Sequence, residues 1–341
     1  MADFPGGLIA ELSARVARDG RAVLVTIAHA SGSTPREAGT SMIVGARDVF
    51  ATIGGGHLEF EAIRIGRDAL VQREAPRPWL VRFPLAARLG QCCGGVATLV
   101  FAVVDGRDSA WIREAEQCER ERCAMTIVTR VGGDGDAHTV ERRPEATTGG
   151  AALVPSASGD GTTSLVHTIV PTDFNVVVFG NGHVGRALIQ VLGVLPVHVR
   201  WVDERESDFP PSAPANVEVV ATDAPEAELD GAPRGAFVVV ATHNHALDLA
   251  VVTAALARDD WRYLGLIGSV SKRNQFEKRL AARGFASEQL ARITCPIGRA
   301  GLAIRGKAPG AIAVAVAAEM LTLYETPKKG SDPITRPVPI C

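Results

Sequence analysis

The stretch that decides the fold of the C-terminal half is Asn175–Glu204, NVVVFGNGHVGRALIQVLGVLPVHVRWVDE. It begins with Val176–Phe179, a short β-branched run of the kind found in strands that are buried on both faces. Gly180, Gly182 and Gly185 follow as G-x-G-x-x-G, and apolar residues at helical spacing come after them. Strand, glycine turn and helix in this order predict a Rossmann-like unit in an α/β protein.

Each part of this unit has a physical reason. Gly180 permits a tight turn, Gly182 lets backbone approach a phosphate, and Gly185 lets the helix pack closely on the strand. The helix behind these glycines offers free N–H groups to a diphosphate, with His183 as a candidate binding residue, and Asp203 follows the second strand, where a ribose hydroxyl acceptor is expected. A nucleotide site is one interpretation. A Rossmann fold kept without its nucleotide is the other, because such folds are reused for many functions.

A later strand of the same half ends in a second polar loop, THNHALD. His243 and His245 of this loop stand at the carboxyl edge of a parallel sheet, which is where ligands bind. Their spacing predicts that both lie on one face of an extended segment, which allows a metal site if a third ligand is near. Roles in turns and helix caps are the alternative.

A third loop, GSVSKR, also precedes a helix. Ser269 is a candidate cap, whereas Lys272 and Arg273 at a helix start are poorly placed for the helix dipole. Cations in this position make more sense if an anion binds beside them, so this loop is a further candidate for contact with a ligand.

The N-terminal half carries two loops of similar character. The polar segment SGSTPREAGT has no apolar period and contains Arg36; a solvated connector is the alternative interpretation. Gly54, Gly55 and Gly56 then precede a helix and offer N–H groups to an anion. His57 at the start of that helix either binds a ligand or is structural.

Adjacent thiols mark one more loop, LGQCCGG, which contains Gln91, Cys92 and Cys93. Successive side chains of extended backbone point to opposite faces, so both thiols cannot face the core. Adjacent cysteines also make a poor disulfide, which favours soft-metal binding or sulfur transfer through a persulfide. Packing remains the other interpretation, because free cysteine is among the most buried residue types. Cys92 and Cys93 are thus candidate metal ligands and sulfur-carrying residues.

Composition limits the classes of function. The 341 residues allow two domains, and 46% apolar with 22% charged residues is typical of a folded rather than a disordered chain. With 36 basic and 38 acidic side chains and no basic tract, neither nucleic acid nor an anionic membrane is an expected partner. No apolar segment resembles a signal peptide or a membrane span, so a cytoplasmic protein is expected.

These patterns divide the chain into four parts. Residues 1–131 are expected to form an N-terminal mixed α/β domain, and residues 132–172, rich in small and polar types, a linker and junction. Residues 173–326 are expected to form the Rossmann-like parallel-sheet domain, and residues 327–341 a loosely held proline-rich tail.

Several of these motifs together resemble one family. They are GSTPREAG (Gly32–Gly39), IGGGHLE (Ile53–Glu59), GQCCGG (Gly90–Gly95), GNGHVGRAL (Gly180–Leu188), THNHALD, LIGSVSKR (Leu266–Arg273), TCPIG (Thr294–Gly298) and GKAPGAIA (Gly306–Ala313). On these residues the chain resembles the xanthine dehydrogenase accessory protein family, XdhC/CoxI, over nearly its whole length. The doubled Cys92–Cys93 is similar to the xanthine dehydrogenase branch, because the branch associated with carbon monoxide dehydrogenase has one cysteine there.

The resemblance implies a molybdenum-cofactor-binding chaperone rather than a metabolic enzyme. Members of the family bind the molybdopterin cofactor, present it to a cysteine desulfurase for sulfuration and deliver it to a molybdenum hydroxylase such as xanthine dehydrogenase. They tend to form homodimers. The residues then expected at the metal end are Arg36, Gly54–His57 and Gln91–Cys93. Those expected at a nucleotide or at the pterin phosphate are Gly180–Gly185, His243, His245 and Lys272.

Three other functions fit part of the sequence. An NAD(P)-dependent oxidoreductase would use Asp203 for the ribose and His243 or His245 as acid or base, and would leave the thiols idle. A zinc-dependent hydrolase would combine Cys92, His57 and the histidine pair. A scaffold would bind the desulfurase and the hydroxylase without a small ligand. A bound dinucleotide, stoichiometric zinc or the lack of any ligand would identify each in turn.

Overall fold

A computed structural model describes residues 7–85, 94–132, 137–156, 161–298 and 306–326. The chain forms two compact units, Met1–Thr172 and Asp173–Cys341, here termed unit 1 and unit 2. The division falls in the Pro171–Asp173 segment, where the sequence predicts a junction. Among the described residues, no helix is both long enough and apolar enough to cross a membrane.

The first sheet of unit 1 is antiparallel, with the strand order β3-β2-β1-β5-β4. Its strands are β1 (Arg21–Ser31), β2 (Ser41–Val44), β3 (Val49–Ala51), β4 (Trp79–Pro84) and β5 (Val96–Asp105), and the helices of unit 1 are α1 (Leu8–Asp19), α2 (Gly56–Leu70) and α3 (Ser109–Arg120). Val23 and Val25 share an apolar cluster with Leu58 of α2, whereas Ala22 and Leu24 belong to a cluster with α1 and α3. Because both faces are covered, β1 is apolar along most of its length.

A second antiparallel sheet of unit 1 has the order β7-β6-β9-β8. Its strands are β6 (Met125–Val131), β7 (His138–Arg142), β8 (Gly150–Pro155) and β9 (Thr163–Ile169). The prediction of a linker over residues 132–172 is therefore wrong, because three strands lie in that range. Along β9 the buried positions are Leu165 and His167, separated by less buried residues, so no apolar run marks the strand in the sequence.

Unit 2 is built on a six-stranded parallel sheet with the order β12-β11-β10-β13-β14-β15. Its strands are β10 (Asn175–Phe179), β11 (His198–Asp203), β12 (Val217–Ala221), β13 (Phe237–Val240), β14 (Tyr263–Leu266) and β15 (Ile293–Thr294). Its helices are α4 (His183–Leu192), α5 (His245–Arg258), α6 (Val270–Ala281), α7 (Ser287–Ala291) and α8 (Pro309–Glu325). In chain order this is the 3-2-1-4-5-6 arrangement of a Rossmann fold, which confirms the predicted fold class.

The two faces of this sheet have separate cores. Val176 and Val178 of β10 cluster with α4 and α8, and Val177 and Phe179 cluster with α5 and α6. Strand order reverses between β10 and β13, and in such sheets ligands bind outside the carboxyl ends of the strands at that point. The loops after β10, β11, β13 and β14 therefore define the crevice of unit 2.

Candidate functional site

The glycine loop of unit 2 connects β10 to α4. A Cβ built on Gly180 would lie 2.3 Å from the carbonyl oxygen of Ala241, and one built on Gly185 would lie 2.0 Å from the carbonyl oxygen of Gly180. Side chains cannot approach backbone so closely, so both positions require glycine. A Cβ on Gly182 would meet no described atom within 4 Å, which leaves open space beside this residue.

The N-terminus of α4 has no acidic side chain in its first turn, and no described side chain caps it. Gly182 is the N-cap residue, and the first helical residue, His183, is exposed. Arg186 donates from Nε to the carbonyl oxygen (3.1 Å) and to Oδ1 (3.0 Å) of Asn181. Asn181 is 2% exposed, and its Nδ2 has no hydrogen-bond partner among the described residues. This helix start presents donors, as an anion requires.

Asp203 ends β11 and is 4% exposed. Its Oδ2 accepts from the backbone N–H of Asn181 (2.6 Å) and from Nη2 of Arg205 (3.3 Å), and its Oδ1 accepts from the backbone N–H and Nε of Arg205 (both 3.0 Å). Burial raises the pKa of this carboxyl, but the bonds from Arg205 and Asn181 outweigh burial and hold the pKa below its usual value. The expected ribose acceptor is thus an ion already bonded to its neighbours.

His243 and His245 stand in different local structures. His243 follows β13, and its Nε2 lies 3.5 Å from Oε1 of Glu204, which follows β11. His245 begins α5, because Asn244 acts as N-cap and accepts from the N–H of Ala246. The prediction that both histidines share an extended segment is therefore wrong at His245. The described part of the chain contains no group of three His, Cys, Asp or Glu side chains that could hold a metal ion.

A buried ion pair joins α5 to α6. Asp248 is 0% exposed, and its Oδ1 accepts from the N–H (3.1 Å) and Oγ1 (2.7 Å) of Thr242. Its Oδ2 accepts from Nζ of Lys272 at 2.5 Å, and this ammonium also donates to the carbonyl oxygen of Ile267 at 2.8 Å. The cation that the sequence places beside an anion is thus paired with a carboxylate of the chain itself. The sequence contained one signal for this pair. Asp248 precedes Val252 by four positions, so an acidic residue falls on the buried face of α5 and needs a partner there.

Ser269 and Arg273 are engaged at the same helix start. Ser269 is the N-cap of α6, and its Oγ accepts from the backbone N–H of Lys272 at 3.2 Å. Arg273 donates to Oε1 of Glu277 at 2.7 Å and to the carbonyl oxygen of Cys295 at 3.3 Å. These contacts hold the loop after β14 in place. A role in ligand binding stays a prediction for Ser269, Lys272 and Arg273.

Unit 1 brings its sequence motifs together. Gly95 donates its N–H to the carbonyl oxygen of Ser33 at 3.1 Å, and Leu85 donates to the carbonyl oxygen of Gly95 at 3.0 Å. Leu85 and Gly95 are therefore bonded to each other, and Gly95 is bonded to the polar loop at Ser33. Gln91, Cys92 and Cys93 stand between Leu85 and Gly95 in the sequence and lie outside the described residues.

The glycine turn before α2 meets the same polar loop. A Cβ built on Gly54 would lie 2.4 Å from Cβ of Pro35 and 3.1 Å from Cγ of Arg36. Arg36 is half-buried there, and His57, the second residue of α2, is exposed. The Arg36 loop, the glycine turn and both ends of the segment with the two cysteines are thus neighbours in unit 1.

Glu59 occupies the N–H groups of this turn. Its Oε2 accepts from the backbone N–H of Ile53 (3.0 Å) and of Gly55 (3.1 Å) and from the hydroxyl of Thr52. The N–H of Gly54 donates to Oγ1 of Thr52 at 3.0 Å. The prediction of bare N–H groups is therefore wrong for Gly54 and Gly55. A carboxylate of the chain itself stands where an external anion was expected.

Comparison with known proteins gives two family matches. The model described as the XdhC Rossmann domain matches residues 176–320, and the model described as the XdhC and CoxI family matches residues 15–84. The chain is 26% identical over 307 residues to the uncharacterized protein YqeB of Escherichia coli strain K12, covering 87% of this chain and 42% of YqeB. It thus spans less than half the length of that curated relative.

A solved structure resembles the whole chain. It is a crystal structure described as a xanthine dehydrogenase from Bacillus halodurans, 18% identical, with a TM-score of 0.67 and 98% of both chains covered. At this level of identity the likeness shows a shared fold.

Proposed function

Because the chain belongs to the XdhC and CoxI family, we propose that it acts in the cytoplasm in the maturation of a xanthine dehydrogenase-type molybdenum hydroxylase. In this role it binds the molybdenum cofactor in its molybdopterin form, presents it to a cysteine desulfurase for sulfuration and delivers it to the hydroxylase. The chain works as a carrier, which makes retention and transfer its measurable activities.

The observation that carries this proposal is the meeting of three motif segments in unit 1. Leu85 and Gly95, which flank the segment with Cys92 and Cys93 in the sequence, are bonded to each other, and Gly95 is bonded to the polar loop at Ser33. The Gly54 turn contacts the same loop at Arg36. Described residues of three motifs that are far apart in the sequence are thus neighbours, which supports a binding site more than a set of solvated connectors.

The residues of this place fit one end of the cofactor better than the other. Cys92 and Cys93 supply soft thiolate ligands, which suit a metal such as molybdenum and can carry sulfur. Glu59, in contrast, accepts from the turn and places a negative charge beside Gly55, which disfavours a phosphate there. We therefore assign the metal end to the thiols together with Arg36 and Gln91. Bound molybdenum supplies the centre on which oxygen is exchanged for sulfur.

The test is cofactor retention. Purified full-length chain is incubated with molybdenum cofactor and desalted, and retained molybdenum and oxidised-pterin fluorescence are measured. Wild type and Cys123→Ala, whose half-buried thiol lies elsewhere in unit 1, are expected to retain both. The double variant Cys92→Ala with Cys93→Ala is expected to lose them, and equal retention by that variant would remove the thiols from the proposal.

Delivery and partners need a second measurement. Loaded protein, sulfurated with a cysteine desulfurase, is mixed with hydroxylase that lacks its cofactor, and the gain of hydroxylase activity is followed. Light scattering of the purified chain tests the homodimer. Activity equal to that obtained with free cofactor would contradict a carrier role.

The second candidate is an NAD(P)-dependent oxidoreductase centred on unit 2. The open space beside Gly182 at the strand-order reversal favours it. Absorbance of the supernatant after denaturation distinguishes the two functions, because a released dinucleotide and a released pterin have different spectra.

A further inference from the structure

We infer that the crevice of unit 2 binds a phosphate-bearing anion beside Gly182 and excludes adenine dinucleotides, and that Arg205 sets this specificity. The inference goes beyond the maturation role, because it concerns the ligand of unit 2 alone, and it opposes the second candidate function, which needs a dinucleotide in unit 2. It separates two properties that the G-x-G-x-x-G pattern normally joins, the phosphate site at the helix start and the ribose site at the end of the second strand.

The phosphate half rests on the start of α4 and on Asn181. No described side chain caps this helix, and Gly182 faces open space. Arg186 Nε can only donate, so the amide atom of Asn181 that it contacts must be the oxygen. The Asn181 Nδ2 is therefore fixed as a buried donor at the first turn of α4, and it has no partner in the described residues. Burying an unsatisfied donor is costly, and an anion oxygen at this place would satisfy it.

The ribose half rests on the carboxylate of Asp203. A carboxylate has about four acceptor positions, two on each oxygen. Asp203 receives four hydrogen bonds, three from Arg205 and one from the backbone of Asn181. No position is left for the hydroxyls of an adenosine ribose, so this common contact of NAD-binding folds is closed by the chain itself.

Arg205 does not convert the site into one for a 2′-phosphate. Its Nη1 lies 2.8 Å from Oδ2 of Asp208, so two carboxylates flank one guanidinium. Glu204 and Glu206 flank Arg205 in the sequence. Glu204 also lies beside His243, which belongs to the loop after β13. A second phosphate at this end would meet a net negative surrounding and be repelled.

The first measurement is calorimetric titration of the full chain at constant ionic strength with inorganic phosphate, inorganic pyrophosphate, ADP-ribose, NAD⁺ and NADP⁺. Phosphate or pyrophosphate is expected to bind. The three adenine compounds are expected to bind at least roughly tenfold more weakly, because the loss of a hydrogen bond to the charged acceptor Asp203 lowers affinity by about that factor. Adenine compounds binding as tightly as pyrophosphate, or no binding of either anion, would overturn the inference.

The second measurement is a gain of binding. Arg205→Ala frees Asp203 and is expected to raise ADP-ribose affinity roughly tenfold. The control is Arg200→Ala, which removes an arginine of β11 that pairs with Glu218 and Glu228. A gain in Arg205→Ala alone supports the inference. The same affinity in both variants contradicts it.

A third variant locates the anion. His183→Glu places a negative charge in the first turn of α4, which favours the free helix but repels a phosphate. Pyrophosphate affinity is expected to fall several-fold relative to His183→Gln while the melting temperature without ligand is not lowered. Unchanged affinity would place the anion elsewhere. None of these titrations uses molybdenum cofactor, so they can fail while cofactor retention holds, and the reverse.

Discussion

Two helices, α2 in unit 1 and α4 in unit 2, begin in the same way and use their first turns differently. Each has a glycine N-cap without a capping side chain from the described residues. Four residues after the cap, α2 has Glu59 and α4 has Arg186. Glu59 accepts from the N–H groups of its preceding turn, whereas Arg186 donates to the oxygens of Asn181. A glycine turn before a helix is therefore a site for an external anion only when the chain does not supply its own.

The contrast extends to the histidines. The second sheet of unit 1 encloses His138 and His167, whereas His183, His243 and His245 of unit 2 are exposed beside the crevice. The second sheet of unit 1 thus hides imidazoles, whereas the crevice of unit 2 presents them. Four changes probe this difference, in decreasing order of expected effect.

Acid should weaken unit 1 first. Burial lowers the pKa of His138 to about 4, against a smaller opposite effect of Asp108, and burial lowers that of His167 to about 4. Both pKa values lie below the usual 6.5, so the folded unit binds these protons more weakly than the unfolded chain. The free energy of unfolding is therefore undiminished above pH 6.5 and falls as the pH drops toward 4, by on the order of 3 kcal/mol for each histidine. Hydrogen exchange of the full chain at several pH values should show β6 to β9 losing protection before the sheet of unit 2. His138→Gln should make the protection of β6 to β9 depend less steeply on pH. Equal loss of protection in both units as the pH falls would contradict the contrast between them.

The ion pair between Asp248 and Lys272 is an exception to this contrast, because here unit 2 pairs its own buried charges. Lys272→Met leaves Asp248 buried without its cation and is expected to cost about 3–5 kcal/mol of unfolding free energy. Chemical denaturation measures it, with Lys278→Met, on the same helix, as the control. A loss below about 1 kcal/mol would show that Lys272 serves a ligand rather than Asp248.

Substitutions at Gly180 and Gly182 of the unit 2 glycine loop should differ sharply in their effect on unfolding free energy. Gly180→Ala drives a Cβ into the carbonyl of Ala241 and, with φ at 118°, is expected to cost about 3 kcal/mol. Gly182→Ala meets open space and should change unfolding free energy by less than about 1 kcal/mol. Thermal denaturation of both variants checks this, and equal losses would mean that the space beside Gly182 is filled.

Removing the internal anion of unit 1 should have the smallest effect. Glu59→Ala leaves the N–H groups of Ile53 and Gly55 without their acceptor, which is expected to cost about 2 kcal/mol. Asp68→Ala, which removes an exposed carboxylate of the same helix, should cost less than about 0.5 kcal/mol. If Glu59→Ala also restores stability in pyrophosphate, the two glycine turns are interchangeable anion sites and differ only by this residue.

The sequence was sufficient for elements whose signal is local. Asn175–Glu204 predicted strand, turn, helix and strand because buried parallel strands are apolar throughout and a G-x-G-x-x-G turn follows the first of them. Ser269 was predicted as a cap for a similar reason. Strands β7 and β8 were missed, because the one buried position of β7 is His138 and β8 has no buried position, so neither forms an apolar pattern.

What could not be predicted is pairing over distance. The sequence indicated Asp203 as an acceptor and Lys272 as a cation for a ligand, and both are held by other residues of the chain. Nothing in the sequence indicates that Glu59 is the acceptor of the turn before its own helix. Periodicity reports which side of an element is buried, and it carries no information on which charged groups meet there.

The bond between Leu85 and Gly95 has a consequence for how this family can change. It joins the chain where β4 ends and β5 begins, and so continues the register of the two strands by one more pair. A substitution or a change of length between Leu85 and Gly95 is therefore expected to leave this strand pairing intact. Under the proposed function, exchange of this one short peptide would change the ligand chemistry without altering the strands that flank it.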